Sequence, residues 1–308
     1  MALYSVGRVF ADLSQVGRSI TRTLATGRTL LSSQQQQQQQ QQSGGDKYVE
    51  IVETRGVRRI QLTHQKTRNS LSLEMMSAIL RSLVTDSENS KLRSILITAA
   101  PGNIFSAGHN LKELRSSDGE DHHRSVFEMC AQLMKAIDKS PVPVIAAVDG
   151  LAAAAGCQLV AACDIVVCTE RSSFSTPGAN FGIFCSTPGI PLIRNVPRKV
   201  AAHMLFTGLP ISAQEAYLAG LVSKVVPTDM LEEEVKKITD AINEKSRSVV
   251  RLGKRFIREQ VEVDADTAYS LGTEIMVNNL KLKDAQEGIK SFSEKRRPSW
   301  THGYEKDS

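Results

Sequence analysis

The sequence has few aromatic residues, few cysteines and no long apolar run. Aromatic side chains make up 5% of its 308 residues, and its five cysteines are an odd number and too few for a disulfide scaffold. No apolar stretch approaches the roughly 20 residues that a membrane-spanning helix needs. Hydrophobic residues make up 41% of the chain and charged residues 23%, a composition that excludes wholesale disorder. We therefore expect a folded domain with buried thiols in a reducing compartment, and no membrane span.

The formal net charge is +5, from 38 Lys and Arg against 33 Asp and Glu, which raises the question of an acidic partner. Residues 1–42 hold four Arg and one Asp, so the rest of the chain has 34 basic and 32 acidic residues. The excess of positive charge is therefore concentrated at the N-terminus. The sequence shows no stacking surface of aromatic and basic residues and no recognised nucleic-acid module, so we expect no nucleic-acid partner.

The first 33 residues contain neither Lys nor Glu, and Asp12 is their only acid. Their arginines are spread among Ser, Thr, Leu and Val, and apolar residues from Val6 to Val16 recur at helical spacing. This composition is typical of a mitochondrial transit peptide, and a disordered basic tail is the alternative. Residues 34–46 contain the glutamine run Gln34 to Gln42 followed by Ser-Gly-Gly, and they predict a flexible linker. We expect a protein of the mitochondrial matrix.

Beyond the linker, short apolar segments alternate with amphipathic ones. The predicted elements are a β-hairpin over 47–62, helices over 72–87, 125–139 and 156–162, strands over 94–98, 142–148 and 165–167, and a helical stretch over 228–296. Residues 99–112 are predicted to be a glycine-containing loop. Alternation of strands and helices predicts an α/β core over 47–225, with a helical C-terminal region over 226–300 in the same domain.

Residues 104–114 read Ile-Phe-Ser-Ala-Gly-His-Asn-Leu-Lys-Glu-Leu. This block resembles the Phe-Ser-Ala-Gly-x-Asp-Leu-Lys motif of the enoyl-CoA hydratase/isomerase (crotonase) family. Four other segments resemble motifs of that family in the right order, namely 68–71, 143–165, 207–222 and 287–298. The resemblance implies a spiral of ββα turns with two nearly perpendicular sheets and a C-terminal trimerisation region. It also implies a homo-oligomer (a trimer or a dimer of trimers), a coenzyme A thioester as ligand or substrate, a role in fatty-acid metabolism, and neither a separate cofactor nor a metal.

Acyl-CoA chemistry places negative charge on the thioester oxygen, so a site for it needs fixed N–H donors aimed at that oxygen. The resemblance assigns this role to the backbone N–H groups of His109 and Ala155, and the His109 ring need not take part. Small residues over 152–156 would allow close approach of the thioester. The wider binding surface that the resemblance implies consists of Arg68, Asn69, Leu71, Ala107, His109, Asn110, Leu111, Lys112, Ala155 and Lys295. Arg68, Lys112 and Lys295 would meet the coenzyme A phosphates, or they are ordinary solvated surface residues.

The sequence departs from the family at both catalytic glutamates. Their positions are occupied by Gln158 and Gly178. An amide cannot accept a proton near neutral pH, and glycine has no side chain at all. Each positioned acid or base is worth roughly 10²–10⁴-fold in rate. We therefore expect no ordinary enoyl-CoA hydratase or isomerase activity. Whether another reaction is catalysed stays open, and a non-catalytic acyl-CoA-binding or regulatory pseudoenzyme is the alternative.

Other residues near these positions offer weaker candidates. Cys185 is a possible nucleophile for thioester cleavage or a buried structural thiol, and it would line the acyl pocket with Ser186 and Thr187. Asp164 precedes a strand and is expected to have a structural role. Asn110 replaces the usual Asp of the family motif, which removes a charge from that loop.

Overall fold

Two β-sheets organise the fold. In the computed structural model, which describes residues 47–307, they contain six and four strands. The strands are β1 (Val49–Thr54), β2 (Val57–Leu62), β3 (Ser94–Ala99), β4 (Ile104–Ser106), β5 (Val144–Val148), β6 (Leu151–Ala153), β7 (Ile165–Thr169), β8 (Ser173–Ser175), β9 (Ile211–Ser212) and β10 (Lys224–Val226).

The larger sheet has the order β1-β2-β3-β5-β7-β10. The first pair is an antiparallel hairpin, and the other neighbours are parallel. Every residue of β5 is buried, as expected of a parallel strand covered on both faces. The smaller sheet has the order β4-β6-β8-β9, in which only β9 runs antiparallel to its neighbour.

Helices complete the turns of a spiral. They are α1 (Leu73–Val84), α2 (Glu120–Lys139), α3 (Ala155–Ala162), α4 (Ser186–Asn195), α5 (Arg198–Thr207), α6 (Ala213–Leu218), α7 (Leu231–Asn243), α8 (Arg247–Gln260), α9 (Ala265–Leu280) and α10 (Lys283–Ser293). The units β3-β4-α2 and β5-β6-α3 each place one strand in the large sheet, the next in the small sheet, and then a helix. The predicted α/β fold built from ββα turns is confirmed. The part of the chain that the structure describes has no helix long and apolar enough to cross a membrane.

The helices and strands with a long apolar pattern in the sequence form close to where that pattern predicts them. The hairpin and α1 form as expected, and the Ser72 side chain caps α1 by accepting a hydrogen bond from the Met75 N–H. Helix α2 begins at Glu120 rather than 125, because its first turn is polar and has no apolar periodicity. Strand β5 begins at Val144 rather than 142. The predicted loop over 99–112 contains strand β4, and none of the four strands of the small sheet was identified individually.

The C-terminal helices are tied to the spiral by buried polar groups. Lys254 of α8 donates hydrogen bonds to the carbonyls of Ile137 and Val142 and to Asp164 Oδ2, at 3.1, 2.9 and 2.6 Å. Asp164 also accepts from the backbone N–H of Val144 at 2.7 Å, next to the start of β5. Asp164 thus has the structural role that was expected of it.

Candidate active site

The centre of the site is a close approach between two loops of main chain. Gly108 follows β4 and has φ +90°. A Cβ placed on Gly108 would lie 2.8 Å from the Ala153 carbonyl oxygen and 3.2 Å from the Ala155 nitrogen. Only glycine fits this conformation and this space. The main chain just before His109 therefore lies against the start of α3.

Two backbone amides at this approach have no internal acceptor. Within residues 47–307, neither the His109 N–H nor the Ala155 N–H donates a hydrogen bond to another group. Ala155 is the first residue of α3, where the helix dipole favours negative charge. The preceding residue, Ala154, has φ 49° and ψ −117°, a rare conformation for a residue with a side chain, and its own N–H donates to the Ser175 carbonyl.

The segment 68–71 holds this main chain in place. Asn69 is fully buried and its Nδ2 donates to the Phe105 carbonyl at 3.0 Å, while Ser106 Oγ donates to the Asn69 carbonyl at 2.8 Å. The Leu71 N–H donates to the Gly108 carbonyl at 2.7 Å. Arg68 and Asn69 both have positive φ, at 57° and 51°. Asn69 and Leu71 thus brace the site, and the exposed Arg68 contributes its carbonyl to the Ala107 N–H.

The loop after His109 carries the other residues of the motif. Asn110 Oδ1 accepts a hydrogen bond from the Lys112 N–H at 3.3 Å and so caps the short 3₁₀ turn Leu111–Glu113. The amide therefore retains an anchoring role that a carboxylate would also perform. Leu111 is 54% exposed, and Lys112 is exposed beside it. Leu111 contacts the cavity described next, whereas Lys112 does not.

An apolar cavity of about 300 Å³ is lined by His109 and by Ala154, the residue before Ala155. It is lined by Ala107, His109, Leu111, Leu114, Phe127, Ala154, Pro177, Gly178, Phe181, Ile183, Phe184, Cys185, Ser186, Thr187 and Pro188. No Asp, Glu, Lys or Arg belongs to this lining. Segment 177–188 supplies most of one wall, so the predicted position of Cys185, Ser186 and Thr187 agrees with the structure. The cavity can hold an apolar chain next to two free N–H donors, but it offers no carboxylate.

The two positions at which the resemblance places the family's glutamates have different surroundings. Gln158 is 4% exposed, does not line the cavity, and accepts a weak hydrogen bond from Cys130 Sγ at 3.6 Å. Gly178 lines the cavity, but a Cβ there would lie 2.1 Å from the Ile183 carbonyl oxygen and 2.6 Å from Cys185 Sγ. The chain has therefore closed over the place where a side chain at 178 would begin.

The cysteines are not poised as thiolates. Cys185 Sγ accepts a hydrogen bond from the Gly178 N–H at 3.3 Å, but burial raises the pKa of its thiol above the ordinary value. Burial raises the pKa of both Cys130 and Cys157 to about 12. Among residues 47–307, no three His, Cys, Asp or Glu side chains are grouped in a way that could hold a metal ion.

The His109 ring is the remaining polar group of the site. Its Nδ1 lies 3.4 Å from the Leu71 carbonyl oxygen, and its ring meets Phe127 edge-on with centroids 5.4 Å apart. Its Nε2 is buried and has no hydrogen-bond partner among the described residues. Burial lowers the pKa of the imidazole below 6.5, which favours the neutral ring. Sequence reasoning singled out the main chain of His109 and gave no required role to its ring.

Lys295 is not among the residues that line the cavity. It follows α10, is exposed and has φ 54°. Within one chain the structure therefore does not bring Lys295 to His109 and Ala155. Its neighbour Arg296 pairs with Glu287 and Glu294.

Comparisons with known proteins decide the family. The enoyl-CoA hydratase/isomerase family model matches residues 52–303. This chain belongs to that family. It is 53% identical over 247 residues to the rat "Enoyl-CoA hydratase domain-containing protein 3, mitochondrial", and the match covers 80% of this chain and 82% of the relative. The Xenopus laevis protein of the same name is 53% identical over 250 residues, covering 81% and 85% of the two chains.

A solved structure of a family member is similar throughout the fold. The crystal structure of human enoyl coenzyme A hydratase domain-containing protein 3 has a TM-score of 0.81 and 51% identity. It covers 82% of this chain and 100% of its own. The family expectation drawn from the five motifs is confirmed, and the similar relatives are mitochondrial by name.

Proposed function

We propose that this protein binds acyl-CoA thioesters in the mitochondrial matrix, in fatty-acid metabolism, and has no ordinary enoyl-CoA hydratase activity. The observation that carries the proposal is the pair of free N–H groups, at His109 and Ala155, beside an apolar cavity without a carboxylate. Two such donors suit a thioester oxygen that acquires negative charge. The cavity suits the acyl chain, whose burial contributes about 0.8 kcal/mol per CH₂.

Calorimetric titration with coenzyme A and with acyl-CoAs of increasing chain length tests this proposal. We expect acyl-CoA to bind more tightly than coenzyme A alone, because only acyl-CoA has a thioester carbonyl for the two N–H donors and an apolar chain for the cavity. We also expect no hydration of crotonyl-CoA above background. No binding at millimolar ligand, or hydration at the rate of an ordinary hydratase, would contradict the proposal.

A non-catalytic binding or regulatory protein is the second candidate. The packing around Gln158 and Gly178 favours it, because neither position places a proton-transferring side chain in the cavity. Mass-spectrometric analysis after incubation with an acyl-CoA panel separates the two. Any protein-dependent product supports an enzyme, and unchanged substrate throughout supports the binding protein.

We propose further that the protein is a homo-oligomer, either a trimer or a dimer of trimers. Large apolar side chains stand exposed on the single chain, as with Phe206 (71%), Leu218 (75%), Tyr269 (80%) and Phe292 (87%). Exposed apolar surface of this kind is typical of subunit contacts. Light scattering on the purified protein tests the mass, and a monomeric mass would contradict this proposal.

A further inference from the structure

The apolar cavity contains no charged side chain. Of the described residues that line it, none is Asp, Glu, Lys or Arg. Its polar side chains are the His109 imidazole, the Cys185 thiol and the hydroxyls of Ser186 and Thr187. Burial raises the pKa of the thiol and lowers the pKa of the imidazole below 6.5, so these groups are neutral near pH 7 as well. The cavity can therefore hydrogen-bond a neutral polar group, but it has no ion to pair with a charged one.

This absence of charge includes the two positions at which the resemblance places the family's glutamates. Gly178 lines the cavity without a side chain, and the Sγ of Cys185 lies 2.6 Å from the place that a Cβ of residue 178 would take. A neutral thiol thus occupies the start of the space for that side chain. Gln158 is uncharged, buried and outside the lining of the cavity. Neither position brings a charge to the cavity.

The charged residues next to the cavity in sequence do not supply an ion either. Lys112, Glu113, Arg115 and Glu128 each adjoin a lining residue along the chain, but none of them lines the cavity. Lys112, Arg115 and Glu128 are exposed to solvent. The Glu113 carboxylate accepts a hydrogen bond from the Leu73 N–H at 3.2 Å. A carboxylate inside the cavity would consequently have no cation as a partner among the residues that line it.

The chemistry at the far end of an acyl chain then decides whether the chain is held. An ionised carboxylate loses its hydration when it enters an apolar cavity, and without a cation nothing offsets that loss. A methyl group gains free energy by the same transfer. A hydroxyl is intermediate, because it can exchange hydrogen bonds with the hydroxyls of Ser186 and Thr187. Two chains of equal length should therefore bind very differently when one ends in a carboxylate.

We infer that this site selects acyl-CoAs by charge, accepting neutral acyl chains and excluding those that carry a second carboxylate. The inference rests on the proposed acyl-CoA binding and names the class of acyl group that is bound. The excluded class consists of dicarboxylic acyl-CoAs whose second carboxylate would lie within the cavity. The reactions that supply or consume the ligand are then reactions of monocarboxylic acyl groups.

The test uses three six-carbon ligands that differ only at the end of the chain. Hexanoyl-CoA ends in a methyl group, 6-hydroxyhexanoyl-CoA in a hydroxyl and adipoyl-CoA in a carboxylate. Calorimetry at pH 7.5 measures the affinity of the purified protein for each. We expect adipoyl-CoA to bind at least about 100-fold more weakly than hexanoyl-CoA, and 6-hydroxyhexanoyl-CoA to bind less than about tenfold more weakly.

A lysine placed in the wall of the cavity should relax this selection. Ile183→Lys is the test variant, because Ile183 lines the cavity and is 43% exposed, so the fold can accept a longer side chain there. Ile190→Lys is the matched control, since Ile190 lies on α4, is 52% exposed and does not line the cavity. Circular dichroism checks the folding of both variants.

The quantity compared is the ratio of adipoyl-CoA affinity to hexanoyl-CoA affinity. A new lysine that attracts the coenzyme A phosphates strengthens both ligands alike, so this ratio isolates the end of the chain. We expect the ratio to rise at least about tenfold in Ile183→Lys, where the ammonium can pair with the carboxylate, and to change less than about threefold in Ile190→Lys.

Four results would overturn the inference. Equal binding of hexanoyl-CoA and adipoyl-CoA would refute the selection and leave the proposed function intact. Binding of 6-hydroxyhexanoyl-CoA as weak as that of adipoyl-CoA would show that polarity, and not charge, is excluded. An unchanged ratio in Ile183→Lys would refute the role of the cavity wall. Failure of all three ligands to bind would contradict the proposed function itself, and the inference with it.

Discussion

At the scale of single residues, the packing around Gly178 leaves no space for a side chain. The Ile183 N–H donates to the Gly178 carbonyl at 3.0 Å, and the Gly178 N–H donates to Cys185 Sγ at 3.3 Å. These bonds close the turn over the place of a Cβ. A glutamate at this position therefore requires the segment from 177 to 185 to move, and not merely a longer side chain.

We expect Gly178→Ala to lower the free energy of unfolding by about 1–3 kcal/mol, because its Cβ would overlap the Ile183 carbonyl. Gly253→Ala is the matched control, since that glycine lies within α8 and a Cβ there would meet nothing within 4 Å. The control should be unchanged or more stable by up to about 1 kcal/mol. Urea unfolding measures both, and equal stability of the two variants would show that the turn opens readily.

The site was predictable from the sequence in part. The motif over 104–114 indicated His109, the segment over 143–165 indicated Ala155, and the segment after Gly178 indicated an acyl pocket that includes Cys185. The role of Asn69 as a brace and the closure over Gly178 were not predictable, because both depend on how separate segments pack. The orientation of the His109 ring was not predictable either, because it depends on the contact of Nδ1 with the carbonyl of Leu71, which lies 38 residues earlier in the chain.

At the scale of elements, α8 is fastened to the spiral by a charged group that is almost fully buried. The Lys254 side chain is 7% exposed, while Asp164 is 21% exposed and is also paired with Arg258 at 2.9 Å. Lys254 donates to oxygens from three segments. The two carbonyls near the end of α2 also accept from Ser140, whose N–H donates to Ile137 and whose hydroxyl donates to Val142. The contacts of Lys254 link α8 to the segment that leads into β5.

Replacing Lys254 with methionine should lower the free energy of unfolding by about 1–3 kcal/mol, since the Ile137 and Val142 carbonyls and the Asp164 carboxylate each lose a charged, buried donor. The control on the same helix is Arg255→Met, because Arg255 is 65% exposed and, among residues 47–307, forms a single ion pair, with Glu259 at 3.6 Å. Arg255→Met should lower the free energy of unfolding by less than about 0.5 kcal/mol. Thermal unfolding of both variants measures the difference, and a smaller loss for Lys254→Met than for the control would refute this role.

Elements with a long pattern were predictable and short ones were not. Helix α1 spans 12 residues with clear apolar periodicity, and its Ser72 cap is visible in the sequence. The strands of the small sheet have two or three residues each, too few to show alternation. They exist because successive turns of the spiral place them side by side, so their formation depends on tertiary pairing.

At the scale of the whole molecule, Asp284 joins the end of the chain to its helical region. The buried carboxylate accepts hydrogen bonds from Ser246 Oγ at 2.6 Å, from the Thr301 N–H and hydroxyl at 2.7 and 2.8 Å, and from the His302 N–H at 2.9 Å. Burial alone would raise the pKa of this carboxyl, but these hydrogen bonds hold it below its usual value.

A carboxyl whose pKa is lowered in the folded state contributes stability above its unfolded value of about 3.9, and that stability is lost as pH falls through the folded pKa. We therefore expect Asp284→Asn to be less stable than wild type by about 1–3 kcal/mol at pH 7. The difference in the free energy of unfolding between the two proteins should become smaller as the pH falls towards about 3, because the wild-type carboxylate becomes protonated. Urea unfolding followed by tryptophan fluorescence measures this difference. The only tryptophan, Trp300, donates to the Glu244 carbonyl at 2.7 Å, so its fluorescence changes when the C-terminal segment separates from the helices. A difference independent of pH would contradict the assignment.

The predicted transit peptide and linker lie outside the described residues, so they stay predictions. Fusing residues 1–46 to a fluorescent protein should direct it to mitochondria. Replacing Arg8, Arg18, Arg22 and Arg28 with glutamine should abolish that import, because the segment then loses its positive charge. Microscopy and protease protection measure the result. Import of the glutamine version at the wild-type level would favour a basic tail without a targeting role.

The main-chain approach at Gly108 has a consequence for folding. The two free amides come from consecutive turns of the spiral and meet only after β6 has paired with β4. A partly folded chain that lacks this pairing has one donor without the other, so it lacks the proposed binding site. A thioester that binds both donors therefore binds the completed spiral alone and raises its unfolding temperature by mass action. The rise in unfolding temperature on adding ligand would then show how many chains have formed the pairing of β4 with β6.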